Sequence, residues 1–161
     1  MIPATMPEII ADLYKRLAEV DRRFENRSRK GTVAEIDPAK GLARVKLGEN
    51  KDGKPYLSPW VPWKEVAMGA IKTHFPPAVG EQVELKSDSG DLLDAVIDTS
   101  LPSTANPRPH DKAGEAKIQI GETYILMTGD SIEISTGHLK QTASRIDHDQ
   151  KGGGATGVAM A

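Results

Sequence analysis

The sequence predicts a mainly β chain with one leading helix. Three observations carry that prediction. Apolar residues recur at heptad spacing between residues 6 and 24. From residue 31 to residue 99, short alternating segments are separated by turns rich in Gly, Pro and Asp. From residue 117 to residue 147, alternating segments are again broken, by Gly121, Gly129 and Gly137, eight residues apart. An apolar/polar period of two marks a strand with one buried and one wet face.

Composition narrows the classes. The chain has 161 residues, enough for one ordinary domain with appendages or one elongated subunit. Aromatics are 4% of residues and mean hydropathy is −0.43, too little large apolar material for a generous core along the whole length. Some surface is therefore expected to be buried between subunits or left solvated. A net charge of −2 argues against dominant binding to a phosphate backbone, which needs a basic face. Without cysteine there is neither a disulfide nor a thiolate metal site. No apolar run approaches the roughly 20 residues that span a bilayer, and the N-terminus has no secretory-signal pattern.

Met6, Ile10, Leu13, Leu17, Val20 and Phe24 are spaced four, three, four, three, four. That is a helical seam with apolar residues at both inward heptad positions. Thr5 and Glu8 are placed for a capping box, and Pro7 sits in the first turn, where its missing N–H costs nothing. Asp12–Arg16 and Glu19–Arg23 have favourable acid-first i,i+4 spacing. Two arrangements fit: an amphipathic helix packed on its own domain, or a short self-associating coiled coil.

Residues 31–36 and 42–47 alternate around a turn at 37–41 and read as a hairpin. Residues 48–59 read as a polar loop. Residues 60–66 form a third strand, with Pro62 marking an edge or bulge. Trp60 and Trp63 are expected to pack in the barrel or at a subunit interface. Residues 81–86 form a fourth strand, and a fifth lies around 94–98. Five short strands with turn signals suggest a small Greek-key barrel of the OB type.

Pro102, Pro107 and Pro109 make the following stretch an extended linker. In the next segment Ile118 and Ile120 alternate with Lys117 and Gln119, and Ile132 and Ile134 with Ser131, Glu133 and Ser135. Only a glycine-rich tail follows, so nothing after it supplies a cover. An uncovered ladder would be an aggregation site, so identical copies of this segment are expected to cover each other.

No Ser/His/Asp or Cys/His constellation is present, and the glycine and lysines of residues 51–54 lack Walker spacing. Glu81 and Glu84, like Asp94 and Asp98, are spaced as exposed strand and turn residues. The chain is therefore not expected to be an enzyme or to need a cofactor. The main rival function is an OB-type protein for single-stranded nucleic acid, which combines a positive groove with stacking aromatics. Trp60, Trp63, Tyr56 and Phe75 supply aromatics, but Arg44, Lys46, Lys51, Lys54 and Lys64 are scattered among acids. The expectation is thus no nucleic-acid partner.

The order of parts resembles the baseplate assembly protein V family, the central spikes of P2-like and Mu-like contractile-tailed phages and related injection particles. The residues that carry the resemblance are Gly31-Thr32-Val33 with Ala43-Arg44-Val45-Lys46-Leu47, then Trp60-Val61-Pro62-Trp63. The approach Pro77-Ala78-Val79-Gly80-Glu81-Gln82-Val83 and the segment Asp94-Ala95-Val96-Ile97 complete it. Five parts result: an N-terminal helix over 1–28, an OB-like barrel over 29–101, a linker over 102–115, a spike segment over 116–149 and a tail over 150–161.

The resemblance implies a homotrimer in the virion, assembled in the host cytoplasm. Its barrels would dock on the baseplate hub at the start of the tail tube. Its C-terminal segments would wind into an intertwined triple-stranded β-helix that pierces the host outer membrane when the sheath contracts. Ile118, Ile120, Ile132 and Ile134 would then face the shared axis, joined by either Tyr124 and Leu126 or Ile125 and Met127. Many members end in a His-x-His pair that binds a tip iron ion. Here His74, His110, His138 and His148 form no such pair. Asp147, His148 and Asp149 are the weak metal candidates, set against a plain solvated strand end. The missing pair also raises a separate tip-capping protein as a partner.

Overall fold

The computed structural model describes residues 5–147. The chain divides between Arg108 and Pro109 into two compact units, inside the stretch read as the linker.

The first unit opens with helix α1, Met6–Glu25. The Glu8 carboxylate accepts hydrogen bonds from the Thr5 N–H and hydroxyl, both at 2.9 Å, so the expected capping partners meet. No residue of α1 is buried. Its C-terminal turn meets the barrel at Gly90, which has φ +77°. A Cβ there would lie 2.3 Å from the Arg23 carbonyl oxygen, so only glycine allows this approach.

Strands β1 (Ser28–Asp37), β2 (Leu42–Glu49), β3 (Pro55–Leu57), β4 (Val61–Pro62), β5 (Gln82–Lys86) and β6 (Val96–Leu101) follow. The sheet runs β3-β2-β1-β5-β6, all neighbours antiparallel, with β4 also on β2. The sheet closes through the segment after β4. Trp63 bridges to Ile97, and the Lys64 N–H donates to the Ile97 carbonyl at 3.0 Å. The resulting small barrel holds Val33, Ala43, Val45, Val61, Val83, Leu85, Ala95 and Ile97, with Ile36, Leu47, Trp63 and Leu92 packed around them. The set is mostly small and β-branched, as a narrow barrel requires. At Gly31 a Cβ would fall 2.5 Å from Val45 Cγ1 and 2.6 Å from the Lys46 carbonyl, so β1 crosses β2 closely only because that side chain is absent.

Two expectations need correction. Residues 60–66 supply only the two-residue strand β4, because Pro62 has no N–H to extend a ladder. Residues 55–57, read as loop, form β3 against the outer half of β2, which continues to Glu49.

The second unit is an antiparallel meander of β7 (Ala116–Ile120), β8 (Thr123–Met127) and β9 (Ile132–Ser135). Gly121 makes the first turn with φ +56°, a conformation that other residues resist. The second turn, at 128–131, is tied by Thr128 N–H to the Ser131 carbonyl at 2.9 Å.

Candidate assembly surfaces

In the meander, Ile118 lies opposite Ile125, and Ile125 opposite Ile134. Met127 lies opposite Ile132. Directly opposed residues share a face, and alternate residues of one strand do too. One face therefore carries Ile118, Ile120, Ile125, Met127, Ile132 and Ile134. All six are exposed in the single chain, from 39% at Ile125 to 82% at Ile120. The register puts Ile125 and Met127 on the same face as the four isoleucines, and Tyr124 and Leu126 on the other. On that second face the Lys117 ammonium sits 4.2 Å from the centre of the Tyr124 ring, and the Tyr124 hydroxyl donates to Glu133. The Glu133 carboxylate favours the protonated phenol and pushes the Tyr124 pKa up.

Helix α1 presents a second apolar surface. Met6, Ile10, Leu13, Leu17, Val20 and Phe24 are all exposed, none below 46%. The seam does not pack on its own domain. Ile9 and Tyr14 are exposed beside it. Behind the seam, Glu19 accepts from Arg22 at 2.8 Å and Arg23 at 2.6 Å. Those two guanidinium groups lower its carboxyl from 4.5 to about 2.

A third surface surrounds the segment after β4. Glu65 was not singled out by sequence, yet it organises this region. Its carboxylate accepts from Trp63 Nε1, Thr73 Oγ1 and the Phe75 N–H, each at 2.9 Å. Burial works to raise the Glu65 carboxyl, but these donors and the nearby His74 together hold it below the usual range. The loop so pinned exposes Val66, Met68, Ile71 and Phe75. The only cue in the sequence is one acid, next to Lys64, inside a mostly apolar run from Trp60 to Ile71. Of the two tryptophans, Trp63 packs on the core, while Trp60 is 44% exposed with the Arg44 guanidinium 5.9 Å from its ring centre.

The carboxylates weighed as pairs are each engaged locally. Glu81 accepts from the Ala78 N–H at 2.7 Å, and Glu84 from the Ser28 hydroxyl. Asp94 accepts from Ser87 and from the Ser89 N–H. Asp98 lies between Lys64 and Lys86, whose ammonium groups lower its pKa. His110 is 2.8 Å from Glu115. Among the described residues no group of three His, Asp or Glu could hold a metal ion. Asp147 pairs with Arg145 at 2.8 Å. The other two metal candidates, His148 and Asp149, and the glycine-rich tail lie outside the described residues.

Two comparisons bear on the barrel and its neighbours. Residues 29–101, which span β1 to β6, match the family model of the type VI secretion system/phage-baseplate injector OB domain. The chain is also 27% identical over 110 residues to a spike protein of Escherichia phage P2. That alignment covers 68% of this chain and 49% of the relative, so the chain spans about half the length of the relative it matches. The matched residues coincide with the closed sheet, so the barrel, β1 to β6, is the part of this chain that is similar to the injector OB domain of phage baseplates and type VI secretion systems.

Proposed function

We propose that the chain is the central spike subunit of a contractile-tail baseplate, a homotrimer whose role is mechanical rather than catalytic. The observation that carries this reading is the meander: six apolar side chains gathered on one face and exposed in the single chain. Its strands β7 and β9 each have one edge unpaired within the sheet. Three copies around an axis would bury the apolar faces together and offer each β9 edge a neighbouring β7 edge. That would remove both liabilities at once. The polar ladder of Lys117, Tyr124 and Glu133 would face water.

In this role the barrels dock on the hub at the start of the tail tube. Sheath contraction drives the tube, and the β shaft leads it through the host outer membrane. A shaft with backbone hydrogen bonds across every layer and a dry centre resists bending and unfolding. The subunit belongs in the virion after assembly in the host cytoplasm. A separate capping protein over the tip accompanies this proposal. The test of the cap is whether purified particles ever contain one trimer with one additional small subunit.

A second reading has one observation behind it. Trp60 and Tyr56 are exposed on the barrel, and the half-buried Arg44 guanidinium lies over the Trp60 ring, aromatic surface of the kind that stacks bases. Filter binding of single-stranded DNA at about physiological salt separates the two. Tight, salt-sensitive binding overturns the spike reading. Light scattering tests the main proposal directly: a mass of three chains supports it, and a monomer sinks it.

A further inference from the structure

We infer that α1 is a parallel, in-register coiled coil in the assembled protein, formed by copies of this chain. The inference rests on the trimeric reading above and adds a second interface with its own orientation code.

The seam assigns heptad positions without ambiguity. Ile10, Leu17 and Phe24 occupy a, and Met6, Leu13 and Val20 occupy d. The residues preceding a are then Ile9, Arg16 and Arg23 at g. Those following d are Pro7, Tyr14 and Asp21 at e. In a parallel coil each g residue reaches the e residue five positions on in the neighbouring helix. The two complete pairs are Ile9 with Tyr14 and Arg16 with Asp21. One is apolar with apolar, and the other cation with anion. An antiparallel coil centred on this seam would instead set Arg16 against Arg16 of the copy. The side chains at e and g therefore favour one orientation.

The structure supports occupancy by another helix of the same kind. An apolar depression of about 250 Å³ lies along the helix, lined by Ile10, Leu13, Tyr14 and Leu17, a hole of the sort that an a or d side chain fills. The charged groups paired within the helix, Asp12–Arg16 and Glu19 with Arg22 and Arg23, lie beside or behind the seam and leave the a and d positions clear; in the coil the exposed Arg16 would turn from Asp12 toward Asp21 of the neighbour. Among the described residues Asp21 forms no ion pair, and the Arg16 of a neighbouring helix would supply one. A coil of under three heptads is marginal alone. Chains already held together elsewhere would raise its effective concentration enough to close it. Only Asn26 and Arg27 separate α1 from β1, so the helices would start from fixed places on their barrels.

The chain contains no cysteine, so one introduced thiol is unique. The experiment uses the full chain, with mass by light scattering and mild oxidation followed by a non-reducing denaturing gel. Ile10→Cys is expected to cross-link to its own copy in a trimer, leaving one chain in each trimer uncoupled. Arg16→Glu should reduce the yield several-fold, and adding Asp21→Arg should restore it. A trimer in which Ile10→Cys does not cross-link overturns the coil and leaves the trimer standing. Cross-linking between mixed Ile10→Cys and Val20→Cys chains, without Ile10 self-coupling, overturns the parallel orientation. Failure of Asp21→Arg to restore the yield overturns the pairing. A monomeric mass overturns both the coil and the trimer.

Discussion

Replacing Ile118 by aspartate tests the shared apolar face at its centre. Ile118 heads a row that runs through Ile125 to Ile134, so a charge there would enter the middle of the proposed dry axis. Ile118 is 51% exposed in the single chain, so the proposed assembly would cover about half its surface. Losing that burial costs about 1 kcal/mol per chain. An uncompensated buried carboxylate adds several kcal/mol. Over three chains the sum reaches roughly 10 kcal/mol, comparable with the ~5–15 kcal/mol that holds an entire domain. The variant should therefore run as a monomer in light scattering. Burial would raise the pKa of the new carboxyl, so its neutral form is favoured as pH falls, and the trimer should partly return near pH ~5. Gln119→Asp, one residue away on the wet face, should remain trimeric. A heat-resistant trimer of Ile118→Asp, or equal dissociation of Gln119→Asp, would refute the assignment of the face.

Three further outcomes concern the barrel and helix. Ser58 is fully buried, accepts from the Val45 N–H at 3.0 Å and donates to the Pro59 carbonyl at 2.7 Å; Ser58→Ala should cost about 1–3 kcal/mol in denaturant unfolding. Gly31→Val would force apart β1 and β2, whose atoms already stand 2.5 Å from the position of a Cβ, at about 1–3 kcal/mol, and an unchanged unfolding midpoint would refute that contact. Glu19 has its pKa depressed from 4.5 to about 2, and Asp98 is depressed below 3.8, so their contributions are complete above those ordinary values and lost as pH falls through the depressed ones. Thermal melts should thus be flat with respect to these groups above about pH 5 and decline below pH 4, and Lys64→Met with Lys86→Met should reduce the Asp98 part of that decline.

Periodicity made much of this architecture legible. The heptad seam of α1 and the alternating isoleucines of β7 and β9 are local patterns, and each marks a face before any partner is known. The first hairpin was legible for the same reason, since Ala43, Val45 and Leu47 alternate with Arg44 and Lys46, and Val33 follows Thr32 at the same period. Long-range geometry was not. Strand β3 carries Pro55, Tyr56 and Leu57, too short a run for a period, and it exists only because β2 extends to Glu49. The role of Glu65 depends on donors up to ten residues away, drawn together by a loop whose path no spacing rule gives. The membership of Ile125 and Met127 in the exposed face required the pairing register, because the last four residues of β8, Tyr124 to Met127, are all large and three are aliphatic or thioether side chains.

In the proposed trimer the meander would also set the order of events during assembly. Each of its ladders joins strands that are consecutive in sequence, so its contacts are local and its loop-closure costs small. Such hairpins form on a microsecond scale. Meeting other chains is a concentration-dependent step and so the slow one. The unassembled subunit would spend that interval with its isoleucines open to any passing edge strand. Chains made in close succession from one message would shorten the wait, which makes synthesis rate, rather than folding rate, the quantity that governs the yield of soluble protein.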